Sequence, residues 1–386
     1  MTPNLRHLRL ALAVAEGGSA TYAASLLHIS QPAVTQALAG LENSFGQKLF
    51  LREAKGLRPN EAGQRLVFRV KRAFQQLDPA LDAIAPRLRL TATAAQLRAL
   101  AAVAEAGNVT LAARHLELAQ PTVQRAIGQI ESEAGRPLFE RTARGLRPKR
   151  LARDLARAAR LAFAEVDQAR GDLSALSGGE GDRIAVGAMP LSRAAVLGPA
   201  LARLRETIPS VPVKILDGPY ADLLAALLRG DAHFLIGALR MPAPTDEIEQ
   251  TTLFIDRLVI AHRPGHPLAG KAVELGSLAL CPWVVGASGA PAREHFDRLM
   301  GNISGRSVIE TGSMILMREI LLASDSLSLV SERQIAPELA RGTLQVLPVR
   351  PEGTERAIGL TMRRDFLPTP AQSRLIAIIR EAAQTV

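Results

Sequence analysis

A single cysteine, Cys281, stands among 386 residues, so the chain can build neither an internal disulfide nor a thiolate metal cluster, and the residue is expected as a small buried hydrophobe. Long apolar runs are missing as well. Although 47% of the residues are hydrophobic, charges interrupt every stretch before the roughly 18 residues that a membrane-spanning helix needs, so no membrane partner is expected. The opening residues Met1-Thr2-Pro3-Asn4-Leu5-Arg6 lack the basic start and apolar core of a secretory signal, which makes a cytoplasmic location the expectation. Catalytic groupings are absent too. His7, His28, His115, His233, His262, His266 and His295 are scattered, and the close pair His262 and His266 is separated by a turn-forming Arg263-Pro264-Gly265. Neither Gly-x-x-x-x-Gly-Lys nor Gly-x-Ser-x-Gly occurs. We expect no enzyme, no metal and no cofactor.

What is present is unevenly placed. Residues 1–177 hold 25 Lys and Arg against 15 Asp and Glu, whereas residues 178–386 hold 22 of each, so the whole formal charge of +10 lies in the first half. A basic module joined to a neutral one suits a polyanion binder attached to something else, although a solvated basic helix surface gives similar numbers.

The basic half is a duplication. Val14-Ala15-Glu16 recurs as Val103-Ala104-Glu105, Gln31-Pro32 as Gln120-Pro121, Leu49-Phe50 as Leu138-Phe139, and Gly56-Leu57-Arg58-Pro59 as Gly145-Leu146-Arg147-Pro148, each at an offset of 89. About half of the positions between Leu8 and Pro59 match without a gap, including the Pro and Gly punctuation. Two copies are too few for a solenoid, so each is expected to be a self-contained fold.

In the first copy, Leu5, Leu8, Leu12 and Ala15 keep helical spacing up to Gly17-Gly18; Ser19 or Thr21 can cap a short second helix; His28-Ile29-Ser30 makes a turn; and Ser30 caps a third helix with Pro32 in its first turn. Val34, Leu38 and Leu41 point inward there, as do Val123, Ile127 and Ile130 in the second copy. Helix, tight turn, helix is the arrangement that lays a helix in a DNA major groove, though the same pattern also serves packing or protein contacts. Gln31, Pro32, Ala33, Thr35 and Gln36, and Gln120, Thr122, Gln124 and Arg125, are the candidate DNA-contacting residues of these helices, whose outward amides and hydroxyls can bond to base edges in the major groove, and Arg125 to a guanine O6 and N7. After each third helix a short two-stranded wing carries Arg52, Lys55 and Arg58, or Arg141, Arg144 and Arg147.

At these residues the sequence resembles the LysR-type transcriptional regulators: Ser30-Gln31-Pro32-Ala33-Val34, Leu41-Glu42, Gly46, Leu49-Phe50, Arg52 and Glu61-Ala62-Gly63 fall in family order. The duplication departs from the family's single DNA-binding unit, and the second copy has Ala119 in place of Ser30 and Lys149-Arg150-Leu151 in place of Asn60-Glu61-Ala62. Linker helices follow both copies. Leu151, Leu155, Ala158, Ala162, Val166, Ala169, Leu173 and Leu176 form a stripe suited to pairing helices or to packing on its own domain. Leu66, Val70, Ala73, Leu77, Leu81 and Ile84 form another, which Pro79 is expected to break near Asp78.

Ser177-Gly178-Gly179-Glu180-Gly181 reads as a flexible junction. Beyond it Arg183–Ala188, Val211–Leu216 and His233–Ala238 read as strands alternating with helices at Leu197–Glu206 and Tyr220–Arg229, the pattern of a parallel sheet covered on both faces. Further strands are expected at Leu253–His262, Trp283–Gly286, Ser307–Glu310, Ser326–Val330 and Leu344–Pro348, with a closing helix at Ala371–Ala383. This half resembles the family's two-lobed effector domain, itself similar to periplasmic binding proteins.

The expected fold is multidomain: two all-α, winged helix-turn-helix units (1–60 and 91–149) with linker helices (61–90 and 150–177), then an α/β two-lobed effector domain (178–386; lobe I about 181–260 and 348–386, lobe II about 261–347). The resemblance implies an effector held between the lobes by Met189, Pro190, Leu191, Ser192, Gly237, Leu239, Ala287, Ser288 and Ser313. The helix start at Met189–Ser192 is chemically the most telling, since free N–H groups and the Ser192 hydroxyl suit an anionic or polar ligand, although ordinary capping explains that serine equally well. Expected partners are double-stranded DNA, the effector, a second copy of the chain as homodimer or homotetramer, and RNA polymerase. The rival reading is a ligand-sensing adaptor in which one or both helix-turn-helix copies no longer bind DNA.

Overall fold

A computed structural model of the chain describes residues 4–53, 56–143, 145–177, 183–192, 196–274, 278, 280–301, 307–349 and 351–384. It separates into two units, Met1–Asp182 and Arg183–Val386. The Gly178–Gly181 junction, with Lys55 and Arg144, lies outside the described residues.

The first unit runs α1 (Leu5–Gly17), α2 (Ala20–Leu26), α3 (Gln31–Phe45), β1 (Phe50–Glu53), β2 (Gly56–Pro59), α4 (Glu61–Asp82), α5 (Leu88–Thr91), α6 (Ala94–Ala106), α7 (Val109–His115), α8 (Gln120–Ala134), β3 (Phe139–Thr142), β4 (Gly145–Pro148) and α9 (Arg150–Leu176). From α1 to β2 each element reappears between α6 and β4 with both ends shifted by the same 89 positions. Details repeat as well. Among the described residues His28 and Glu117, in the turns before α3 and α8, are the non-glycine residues with positive φ, at 51° and 55°. Arg9 lies over the Phe74 ring at 3.9 Å, and Arg98 over Phe163 at 5.3 Å. Gly56 and Gly145 are required by close approach: a Cβ on either would stand 2.3 or 2.4 Å from the carbonyl oxygen of Gly18 or Gly107, which receives the next wing N–H.

The linker helices supply the unit's largest packing surface. Leu66, Val70, Ala73, Leu77 and Leu81 of α4 share one core with Leu155, Ala158, Ala162, Val166, Ala169 and Leu173 of α9. The helices are antiparallel, since Arg65 reaches the Asp172 carbonyl oxygen while Arg72 reaches Glu165. Arg69 is wholly buried between them, with Nε 2.7 Å from Asp172 and Nη1 3.1 Å from Glu165 and 3.0 Å from Gln168. Burial alone lowers its pKa, but Asp172 and Glu165 outweigh that and raise it above the ordinary value. Pro79 does not break α4, contrary to the sequence expectation: it sits in the final turn, its carbonyl accepts from Ala83 N at 3.1 Å, and buried Leu77 and Leu81 hold that turn in the core.

In the second unit β5 (Ile184–Ala188), α10 (Pro190–Ser192), α11 (Gly198–Thr207), β6 (Val213–Leu216), α12 (Tyr220–Arg229), β7 (Phe234–Ala238) and β8 (Ile248–Asp256) are followed by β9 (Leu258–His262), β10 (Trp283–Val285), α13 (Pro291–Met300), β11 (Val308–Glu310), α14 (Met314–Ala323), β12 (Ser328–Ser331), the 3-10 turn Arg333–Ile335, α15 (Ala336–Ala340), β13 (Gln345–Val346), β14 (Arg356–Arg363) and α16 (Pro370–Gln384). The first lobe's sheet has the order β6-β5-β7-β14-β8 and is mixed rather than purely parallel, because β14 runs antiparallel to both β7 and β8. The second lobe carries β12-β9-β13 and the pair β10-β11. The stretch expected as one strand from Leu253 to His262 is two, so the change of lobe falls at Arg257, ahead of residue 260. Its anchor is Asp256, which accepts from Ser331 Oγ of the second lobe at 2.7 Å and pairs with Arg356 at 2.8 Å. Cys281 packs half-buried against the second lobe's core.

Candidate nucleic-acid interface and effector cleft

Helix α3 starts where Ser30 Oγ accepts from Ala33 N, and buried Val34, Ala37, Leu38 and Leu41 fix which face points out. Gln31, Pro32, Thr35 and Gln36 are exposed on that outer face and Ala33 is half-buried. Thr35 Oγ1 donates back to the Gln31 carbonyl. In α8, Ala119 leaves the start without a side-chain cap, and Thr122 N bonds to the Ala119 carbonyl at 2.9 Å instead. Thr122, Gln124 and Arg125 are exposed, and Arg125 makes no ion pair among the described residues. Gln120 is exposed too, but accepts from Thr110 Oγ1 at 3.2 Å, while Asn108 caps α7. Ala23 and Ala24, like Ala112 and Ala113, are buried where two helices cross.

Each wing is tied to its recognition helix by one carboxylate. Glu42 accepts from Leu49 N and Phe50 N, and Glu131 accepts from Leu138 N and Phe139 N. Burial pushes the Glu42 carboxyl up, but Lys48 and the two N–H groups outweigh it and hold the group below its usual range. Arg52, Arg58 and Arg141 project into solvent from these ribbons. Arg147 is exposed but paired with Glu140, directly across the hairpin, where the first copy has Leu51 opposite Arg58. Among the described residues the two wings therefore differ in free positive charge.

In the second unit Met189, Pro190, Leu191 and Ser192 follow β5, and Met189 packs against Gly237 at the end of β7. Leu191 joins Ala238 and Ile358 in a small core with Phe254, while Leu239 N donates to the Ala357 carbonyl. Ser192 is fully buried, and its hydroxyl faces the Met189 and Ile236 carbonyls at 2.8 and 2.7 Å. That hydroxyl is engaged inside the fold, and residues 193–195, which follow it, lie outside the described residues. On the opposite lobe Ala287 and Ser288 are exposed, Ser288 donating from N and Oγ to Glu310, and Ser313 caps α14 through Leu316 N.

Residues that the sequence reading passed over join these two sets. Arg240, just after Leu239, donates to the Gly289 carbonyl across the lobes at 3.4 Å and lies 4.4 Å from the Tyr220 ring centroid. Arg333, where the turn after β12 meets α10, lies 4.5 Å from the Phe254 ring centroid. Arg240 Nη1, Arg333 Nη1 and the Tyr220 hydroxyl are buried and have no hydrogen-bond partner among the described residues. Burial pulls the Arg240 guanidinium below its usual value, against Tyr220 and Glu294, and pushes the Tyr220 phenol up against Arg240. The available signal was an arginine immediately after a buried strand; nothing in the sequence placed it opposite Gly289.

Among the described residues no group of three His, Cys, Asp or Glu is arranged to hold a metal ion, and no helix is long and apolar enough to cross a membrane.

Comparison with known proteins agrees with this architecture. The LysR substrate binding domain matches residues 177–384, and the bacterial regulatory helix-turn-helix protein of the lysR family matches twice, at residues 5–64 and 94–150. The HTH-type transcriptional regulator GalR of Pseudomonas putida is 37% identical over 98% of this chain and 97% of its own length, a match that spans both winged copies. PcaQ of Agrobacterium fabrum, an HTH-type transcriptional regulator, is 30% identical over 74% of this chain and 94% of its own length. Among solved structures, a full-length OxyR variant of Pseudomonas aeruginosa superposes with a TM-score of 0.55 at 19% identity, covering 76% of this chain and 94% of that one. With the helix-turn-helix match duplicated and the effector-binding match filling the remainder, this chain belongs to the LysR family of transcriptional regulators, DNA-binding proteins controlled by a small-molecule effector.

Proposed function

We propose that both winged units contact duplex DNA. Gln31, Thr35 and Gln36 of α3, and Gln120, Gln124 and Arg125 of α8, read base edges in the major groove, Ala33 and Thr122 offering methyl groups beside them. Arg52, Arg58, Arg141 and, once released by Glu140, Arg147 reach phosphates. On this reading binding weakens steeply as salt rises, because each phosphate contact releases counterions.

We further propose that the effector is a small anion taken between the lobes by Arg240 and Arg333, with Tyr220 as a neutral donor. The observation that carries this is the pair of inter-lobe arginines, each with a buried nitrogen donor left unpartnered beside an aromatic ring. A buried unpaired donor is costly, and a carboxylate or similar group satisfies two such donors through charge-assisted bonds. Because these arginines come from different lobes, an anion between them favours the closed arrangement and shifts the regulator's equilibrium. A thermal-shift screen of small carboxylates against their uncharged amides tests it on the full chain. Stabilisation by an acid but not its amide, abolished in Arg240→Met, is the expected result; equal stabilisation by both forms would overturn the anionic assignment.

A further inference from the structure

The linker-helix faces suited to joining two chains are occupied within one. The apolar stripe of α4 is buried against that of α9, and Arg69, fully buried, is saturated by Glu165, Gln168 and Asp172 of the same chain. Arg72 also pairs with Glu165, and Gln47, just past α3, donates to the Leu173 carbonyl of α9. Arg136, just past α8, reaches back to the Ala83 carbonyl at the end of α4. Each recognition helix is thus fastened to the other copy's linker region without a second chain. The recognition helices so coupled are unlike: aligned at the repeat offset, Thr35 and Gln36 of α3 stand where Gln124 and Arg125 stand in α8.

We propose that one chain is a complete two-headed DNA reader whose α3 and α8 dock on two unlike half-sites of one operator, giving that operator a direction. Operator symmetry mirrors protein symmetry, so identical heads select a palindrome and these heads do not. A glutamine amide matches adenine N6 and N7, and an arginine fork matches guanine O6 and N7, so the α3 half-site centres on an adenine contact and the α8 half-site on a guanine contact. A homodimer of chains carries two such readers. The inference rests on both winged units contacting DNA, as proposed above.

The test begins with selection by the full-length protein from a pool of duplexes with a random core spanning about four helical turns. Two different half-sites enriched in a fixed order are expected, once or as an inverted repeat of the whole pair; a palindrome built from one kind of half-site, or enrichment of a single half-site, overturns the inference while leaving DNA binding intact, whereas no enrichment and no salt-dependent retention overturns the underlying reading with it. On a duplex carrying one selected pair, Gln36→Ala should lose preference in one half only and Arg125→Ala in the other only, each by about tenfold to a hundredfold. Mixing those two variants then separates heads in one chain from heads on two chains. If the heads act within one chain, the mixture binds no better than either variant alone; recovery of wild-type affinity in a fraction of the mixture shows that the heads act across chains and refutes the proposal.

Discussion

Arg69→Met perturbs the seam between the two linker helices at its most buried point. The substitution keeps a long apolar side chain but removes the cation that serves Asp172 and shares Glu165 with Arg72. The side chains of Arg69, Glu165 and Asp172 are 1%, 4% and 14% exposed, so solvent does little to screen what is lost. Removing one member of a buried pair costs about 3–5 kcal/mol, because the remaining charge is left in a poorly solvating site. At a urea slope of about 2 kcal/mol/M, that lowers the unfolding midpoint of the first unit by about 2 M. The chain supplies its own separation of signals. Its one tryptophan, Trp283, lies in the second unit, while most long helices lie in the first. Circular dichroism at helix wavelengths should therefore show the shift, and Trp283 fluorescence should not. A companion variant, Arg69→Met with Asp172→Leu, should recover most of the loss, since Glu165 keeps Arg72 as its partner and no charge is then left stranded. A midpoint change in Arg69→Met below about 0.5 M, or no recovery in the double variant, would refute the view that this cluster is a desolvated, mutually dependent ion set.

Three further outcomes follow from the geometry. Arg52→Ala should weaken DNA binding evenly across sequences and make the salt dependence shallower by about one unit of logarithmic slope, measured by anisotropy titration at several salt concentrations; a change in sequence preference would move Arg52 from phosphate to base contact. Glu140→Ala frees Arg147 from its cross-strand partner and should steepen the same salt slope, and an unchanged slope would mean the second wing stays off the duplex. Burial, helped by Arg363 and Arg183, lowers the His233 pKa from 6.5 to about 4 while its Nδ1 accepts from Ala185 N. The unfolded chain thus takes up a proton between those values that the folded second unit refuses, so stability is full above pH 6.5 and falls as pH drops towards 4, by about 3 kcal/mol. Urea unfolding followed by Trp283 fluorescence should show this slope, and His233→Asn should flatten it.

Much of the architecture was legible because it is local. The caps at Ser19 and Ser30 and the inward positions Val34, Leu38 and Leu41 each depend on neighbours a few positions away, and the structure has them as the spacing required. Pro79 was misjudged because its missing N–H is a local cost, whereas the burial of Leu77 and Leu81 against α9 that offsets it is not. Strand β14 was overlooked for a similar reason: Arg356–Arg363 has no hairpin partner next to it in sequence and joins the first lobe only after the chain has crossed to the second and returned. The candidate effector site divides the same way, Met189 and Gly237 being marked by strand ends, Arg240 and Arg333 by contacts between lobes.

The order of residues alone determined that this chain carries two copies of a winged helix-turn-helix unit and an effector domain, because helix periodicity, capping and turn chemistry are properties of short segments. Only the tertiary structure decided that the copies are joined to each other through α4 and α9, that Arg69 is an interior residue, and that Arg240 and Arg333 lie beside aromatic rings with buried guanidinium nitrogens. Long-range packing sets which charges lose their water, and that cost is invisible until distant segments are brought together.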